Sequence, residues 1–78
     1  MNWEEIDGKL VRNLKCQDFE EAVALFNEIA VIAESMNHHL DLRIYSYKFL
    51  RIEIYTHDKN SITPKDYELA EEIDIILK

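Results

Sequence analysis

The chain has 78 residues, of which 47% are hydrophobic and 32% are charged. This length fits one domain covering 1–78, and the composition excludes disordered, collagen-like and low-complexity proteins. A formal charge of −7 disfavours direct binding of nucleic acid, because phosphates attract cations. No apolar run approaches the roughly 20 residues that cross a bilayer, and the first residues lack a basic segment followed by an apolar one. We therefore expect a soluble, cytoplasmic protein without a membrane or nucleic-acid partner.

The first predicted elements are two strands joined by a tight turn. Residues 3–6 and 9–16 flank Asp7-Gly8, a dipeptide that readily supplies the positive φ angles of a two-residue hairpin turn. The lone cysteine, Cys16, ends the second strand. It cannot form an internal disulfide, and we interpret it as a small buried apolar side chain.

A long helix is predicted from Phe19 to about Asn37, because Asp18 and Glu21 have the spacing of a capping box. At 100° per residue its apolar side chains form two adjacent stripes, one of Phe19, Val23, Phe26, Ala30 and Ala33 and one of Ala22, Leu25, Ile29, Ile32 and Met36. Together the stripes exceed the arc of about 100° that packing on one side requires. We expect one stripe to pack on the chain's own sheet and the other on a second subunit.

The middle of the chain predicts one or two further strands, at 42–47 and 49–56, from its β-branched and aromatic residues. In the second of them the apolar Leu50, Ile52 and Ile54 alternate with Arg51, Glu53 and Tyr55. Such alternation is typical of a half-buried strand. If it continues to the strand's end, His57 lies on the same face as Tyr55.

A final helix is predicted after Thr63, because Thr63, Pro64 and Asp66 combine an N-cap, a proline at the first helical position and an acidic third position. It should bury Tyr67, Leu69, Ala70, Ile73 and Ile76 or Leu77. The predicted fold class is α+β: an antiparallel sheet of three to four strands with helices packed on one face, in the order β-β-α-β-(β)-α.

The candidate chemical groups are three histidines at the ends of elements. His38 and His39 close the long helix, and His57 ends a strand. Imidazole changes protonation near neutral pH, although a histidine pair at a helix end is often only a solvated cap. The chain has no P-loop, dinucleotide fingerprint, nucleophile elbow or paired cysteines. Imidazoles and carboxylates remain, a set suited to moving protons on a small neutral ligand.

Three carboxylates accompany these histidines. Glu34 precedes His38 by four positions and could orient its ring. The same spacing fits two metal ligands on one helix, with His57 or Asp58 as the third, although such a set is a weak indication of zinc. Asp66 is first of all an acidic residue at a helix N-terminus.

The spaced residues resemble the pterin-4α-carbinolamine dehydratases. That family's motif places an acidic residue before a histidine pair, then an aromatic residue, a third histidine and a distal aspartate. The matching positions are Glu34, His38, His39, Tyr47, Thr56, His57, Asp58, Thr63 and Asp66. The similarity extends over nearly the whole chain. Leu40 and Leu42 depart from the family pattern, which usually has proline and an aromatic residue there.

The resemblance implies an enzyme that dehydrates 4a-hydroxytetrahydropterin, such as 4a-hydroxytetrahydrobiopterin in tetrahydrobiopterin recycling, to quinonoid dihydropterin without a metal or cofactor. It makes His38, His39 and His57 catalytic, with His38 and His57 transferring protons and His39 binding. Glu34 and Asp66 would support them, with Glu34 orienting His38. The substrate-binding residues would be Tyr47, Thr56 and Asp58.

The resemblance also implies a homodimer or homotetramer joined through the helix at 19–37, which agrees with the two-stripe pattern. The alternative is a non-catalytic, oligomeric protein-interaction module on the same fold, with Leu25, Ile29 and Ile32 at its interface.

Overall fold

The computed structural model describes residues 2–77, which form a four-stranded antiparallel sheet and two helices. The elements are β1 (Glu4–Ile6), β2 (Lys9–Lys15), α1 (Phe19–Ser35), β3 (Asp41–Tyr45), β4 (Phe49–Ile54) and α2 (Pro64–Ile76). The strand order in the sheet is β1-β2-β4-β3, and the predicted α+β class is confirmed. Neither α1 nor α2 combines the length and the hydropathy that a membrane-crossing helix needs.

The β1–β2 hairpin turns at the predicted dipeptide. Asp7 and Gly8 both have positive φ, at 51° and 75°, and Ile6 pairs with Lys9 directly across the turn. The ideal Cβ position of Gly8 lies 3.4 Å from the carbonyl oxygen of Asn60. Any other residue at this position would have to adopt a left-handed backbone and would place its Cβ against a neighbouring loop. The position therefore favours glycine, the only one in the chain.

The β3–β4 hairpin turns earlier than predicted. Ser46 and Tyr47 have φ angles of 46° and 55°, so β3 ends at Tyr45, which pairs with Phe49. The predicted strand over 42–47 included both residues because their side chains favour β-structure, but their left-handed backbone ends the ladder. The strand predicted over 49–56 likewise ends at Ile54.

The core lies between one face of the sheet and the two helices. Its fully buried aliphatic side chains come from β2, β4, α1 and α2: Leu10, Ile29, Leu50, Ile52, Ile54, Leu69 and Ile73. In α1 the buried residues are Ala22, Ile29 and Ala33, which belong to both predicted stripes. Leu25, Ile32 and Met36 of the second stripe also pack on the core, together with Phe26 of the first. The second stripe therefore faces the chain's own core, and the contact of a stripe with a partner stays a prediction. The fully buried side chains lie along the border between the two stripes, and Phe19 at the helix start remains 56% exposed.

One residue of α2 departs from the predicted core. Leu69, Ala70 and Ile73 are buried as predicted, but Tyr67 is exposed. Its hydroxyl donates a hydrogen bond of 2.7 Å to Glu5 Oε2. Tyr67 follows a buried residue by one position, which turns its side chain about 100° away from the core and over β1.

A polar cluster attaches α2 to the sheet. Trp3 is buried, and its Nε1–H donates to Asp74 Oδ1 at 2.9 Å. Arg12 projects from the helix-facing side of β2 and donates from Nη1 to the same oxygen at 2.6 Å. A single carboxylate of α2 therefore joins the chain's first residues to the central sheet.

Replacing Asp74 by alanine should lower the free energy of unfolding by about 2 kcal/mol, because it leaves Trp3 and the half-buried Arg12 guanidinium without their acceptor. Urea denaturation measures this loss. The matched control is Glu72→Ala, on the exposed face of the same helix, which should change stability by less than about 0.5 kcal/mol. Equal midpoints for the two variants would contradict the role of Asp74.

Candidate active site

The turn after α1 separates the two adjacent histidines. The helix ends at Ser35, two residues before the predicted end, and Asn37 takes a left-handed φ of 51°. Its N–H donates to Glu34 O at 3.0 Å, and the His38 N–H donates to Ala33 O at 3.1 Å. This pair of bonds is a Schellman motif, which reverses the chain. His38 consequently points inward, with 9% exposure, while His39 points to solvent.

The inward ring is held by a buried carboxylate. His38 Nε2 hydrogen-bonds to Oδ1 of Asp66, whose exposure is 0%. Since an ionised carboxylate only accepts, Nε2 carries the shared hydrogen. No side-chain nitrogen or oxygen within residues 2–77 is both fully buried and unpaired. His38 Nδ1, which has no protein partner in that range, is therefore open to solvent at the cleft.

The second oxygen of Asp66 is held by the N-terminus of α2 and the end of β4. Oδ2 accepts from the Thr63 N–H at 2.6 Å and from the Thr56 hydroxyl at 3.1 Å. The Thr56 and Thr63 hydroxyl oxygens are 2.7 Å apart. Thr63 Oγ1 also lies 3.5 Å from Asp66 Oδ2, so the two hydroxyls and the carboxylate form one hydrogen-bonded group. These donors compensate the loss of hydration of the carboxylate.

All three histidines meet at one cleft. Its volume is about 290 Å³, and its lining consists of Asn37, His38, His39, Thr56, His57, Asp58 and Lys65. The α1 exit supplies the histidine pair, and the segment after β4 supplies His57. The His57 ring packs on Tyr55, with centroids 4.3 Å apart, as the strand alternation predicts.

Glu34 contacts a different histidine from the predicted one. Its Oε1 lies 3.0 Å from Nε2 of His39, at the exposed edge of the cleft. The expected pairing with His38 is wrong because His38 lies beyond the end of the helix, where the four-residue spacing no longer places side chains on one face.

Within residues 2–77, no three His, Cys, Asp or Glu side chains are arranged to hold a metal ion together, so the zinc alternative has no support there.

Two other singled-out residues lie outside the cleft. Tyr47 is 61% exposed at the β3–β4 turn, at the opposite end of β4 from His57. Its predicted contact with substrate is not supported by this position. Cys16 is buried as predicted, and this burial raises the pKa of its thiol, which makes it a poor nucleophile at neutral pH.

Sequence reasoning did not assign a site role to Asn37, Lys65, Tyr55 or Thr63. Asn37 had a usable signal, because asparagine tolerates a left-handed backbone and often ends helices. Thr63 was predicted as an N-cap and as a position of the family motif, without a role in the site. The position of Lys65 at the cleft depends on how the loop after β4 meets α2, which no local pattern reveals.

The structure is thus an α+β protein in which a histidine-lined cleft lies beside a buried carboxylate, on an antiparallel sheet covered by two helices. The chain matches the pterin 4 alpha carbinolamine dehydratase family model over residues 1–76. It belongs to that family.

Two relatives illustrate the similarity. A Prochlorococcus marinus protein with a provisional pterin-4-alpha-carbinolamine dehydratase name is 45% identical over 75 residues, which are 95% of this chain and 76% of the relative. A Metallosphaera sedula protein with the same provisional name is 34% identical over 77 residues, covering 99% of this chain and 79% of the relative.

Two solved structures share the fold. One is a transcriptional coactivator/pterin dehydratase from Brucella melitensis, with a TM-score of 0.85, 26% identity and coverage of 96% of this chain and 81% of that one. The other is a pterin dehydratase-like protein identified as a RuBisCO assembly factor in the alpha-carboxysome, with a TM-score of 0.73 and coverage of 94% and 83%. At 11% identity, the second likeness concerns the fold alone.

Replacing Thr56 by valine should destabilise the protein by about 1 to 2 kcal/mol, because Asp66 loses a donor while remaining buried. Thermal or urea unfolding measures the loss. Thr56→Ser keeps the hydroxyl and should recover most of it. A Thr56→Val variant as stable as the wild type would show that the hydrogen bond to Asp66 does not matter.

Proposed function

We propose that this protein catalyses the dehydration of a pterin 4a-carbinolamine to the quinonoid dihydropterin. In this reaction the bond between C4a and the hydroxyl oxygen breaks, the proton on N5 leaves, and a C4a–N5 double bond forms. One group must protonate the departing hydroxyl and another must accept the N5 proton. The meeting of three imidazoles at one cleft is the observation that supports this function most directly.

His38 is the proposed base. With Nε2 bonded to Asp66, its Nδ1 lone pair is directed to the cleft and can accept the N5 proton. The resulting imidazolium would lie against a carboxylate, which stabilises it, as in other histidine–aspartate pairs. Asp66 supports the reaction through His38 without contacting the substrate.

His57 is the proposed acid, and His39 the proposed binding residue. His57 enters the cleft from the segment after β4, whereas His38 enters from the exit of α1. Two imidazoles from different elements can transfer protons to and from two different atoms at one ring junction. His39, joined to Glu34 at the exposed edge, can contact the rim of the ligand, and Thr56 and Asp58 complete the proposed substrate-binding wall.

The size of the cleft supports a small ligand. Its volume of about 290 Å³ is at the lower end of the range of roughly 300 to 1,000 Å³ for small-molecule sites. A pterin is a compact bicyclic ring and fits this class better than an extended or polymeric substrate. We propose 4a-hydroxytetrahydrobiopterin as the first substrate to test.

The wild-type protein should dehydrate the 4a-carbinolamine faster than buffer alone. His38→Ala and His57→Ala should each reduce the catalysed rate by about 100-fold or more, because each removes a proton-transfer group. The absorbance change on formation of the quinonoid product measures the rate. Lys59→Ala, in the loop after β4 but outside the cleft lining, is the control and should retain the wild-type rate. A wild-type rate equal to that of buffer would falsify the enzymatic proposal.

A homodimer or homotetramer through α1 is the proposed assembly. An apolar groove of about 380 Å³ between the helices is lined by Asn27, Glu28, Val31, Ile32 and Ile76. Val31 is 68% exposed there, so it can contact a second copy.

The same groove is the observation that favours the alternative of a protein-interaction module. Ile29, expected at that interface, has 0% exposure and belongs to the chain's own core.

Val31→Glu should shift the protein toward the monomer, because a charge in an apolar contact is left without compensation. Sedimentation velocity at several concentrations measures the shift. Ile6→Glu makes the same kind of change on the sheet face away from the helices, and its assembly should match the wild type. A wild-type monomer at all concentrations would exclude assembly through α1.

A further inference from the structure

The three histidines of the cleft are held by different kinds of contact. His38 is bonded to Asp66 and His39 to Glu34. Within the part of the chain that the structure describes, the His57 side chain makes no hydrogen bond. Its closest defined contact is the ring of Tyr55, at a centroid distance of 4.3 Å and an interplanar angle of 32°. The orientation of this imidazole therefore depends on an aromatic contact.

The strand geometry brings the two rings together. Tyr55 follows the last residue of β4, and its side chain is on the outer face of the sheet with Glu53. The chain stays extended through Thr56, whose N–H donates to Ser61 O at 2.9 Å. The Thr56 side chain points inward to Asp66, so Tyr55 and His57 share the opposite side.

Tyr55 is itself held in place by charged neighbours on the same face. Lys9 Nζ lies 4.9 Å from the centre of the tyrosine ring and 3.2 Å from Glu53 Oε1. Arg51 Nε donates to the other Glu53 oxygen at 2.6 Å. The Arg51 hydrogen bond is the main cause that lowers the pKa of Glu53, and the bond to Glu53 raises the pKa of Lys9. Both groups stay charged at neutral pH, and Lys9 remains over the ring.

We propose that Tyr55 is a positioning residue for His57. The catalytic consequence of this proposal rests on the proposed dehydratase function, whereas the contact between Tyr55 and His57 does not. An imidazole without a hydrogen-bond partner can rotate about two side-chain torsions, and a ring packed against it limits that rotation. Tyr55 thus keeps His57 directed to the cleft, where proton transfer requires a fixed distance to the leaving hydroxyl.

The experiment compares Tyr55→Leu with Tyr55→Phe in the full chain by two measurements. The first is the proton NMR shift of the His57 ring, assigned by its disappearance in His57→Gln. In the wild type and in Tyr55→Phe the aromatic ring current should displace these signals from their random-coil positions, and in Tyr55→Leu the displacement should vanish. The second is the dehydration rate. Tyr55→Leu should lower kcat about 10-fold with KM changed less than about 2-fold, and Tyr55→Phe should restore kcat.

Tyr45→Leu is the matched control. Tyr45 is also an outward-facing tyrosine of the sheet, but it packs on Phe49 and does not line the cleft. Its replacement should leave the His57 shift and kcat unchanged. His57 signals that stay in place in Tyr55→Leu, or a kcat that falls equally in Tyr55→Phe and Tyr55→Leu, would overturn the proposal. If the wild type has no dehydratase activity, the proposed function fails, and the NMR comparison then decides whether the Tyr55–His57 contact that the proposal requires is present in solution.

Discussion

The carboxylate of Asp66 is the contact on which the rest of the site depends. It lies at the start of α2, accepts hydrogen bonds from Thr63 and Thr56, and contacts His38 beyond the end of α1. Three segments distant in sequence are therefore joined through two oxygen atoms. Burying a carboxylate costs free energy unless hydrogen-bond donors compensate for its lost hydration. The donors that stabilise Asp66 in the fold therefore also fix the carboxylate that holds the His38 imidazole. In this protein the same carboxylate that caps α2 also holds the site together.

The charge of the chain is distributed unevenly between its two layers. The helices carry nine acidic residues, four in α1 and five in α2, and one basic residue, Lys65. The strands carry four acidic and five basic residues. The negative balance therefore belongs to the helical layer. This overall charge does not describe the cleft, which is lined by imidazoles beside a buried, hydrogen-bonded carboxylate.

Local sequence patterns predicted the helices and strands well, because the start or end of each element depends on interactions between residues close in sequence. The Asp7-Gly8 turn, the Asp18 N-cap and the proline start of α2 each depend on a few adjacent residues, and the strand alternation correctly predicted that Tyr55 and His57 share a face. The contact between His38 and Asp66 links residues 28 positions apart. It depends on the packing of α2 against the rest of the fold, which no local pattern contains. The assignment of Glu34 to His38 failed for a related reason, since it assumed that the helix continued.

The left-handed backbone at Asn37 makes two chemically identical neighbours non-equivalent. Before that residue the chain follows a helical path, and after it one imidazole is enclosed and the next is immersed in water. The enclosed ring is bonded to the buried carboxylate of Asp66, whereas the exposed ring is bonded to Glu34 at the surface. A dipeptide of one residue type thereby supplies one imidazole anchored to the interior and one anchored at the surface, and a single left-handed torsion angle separates their surroundings.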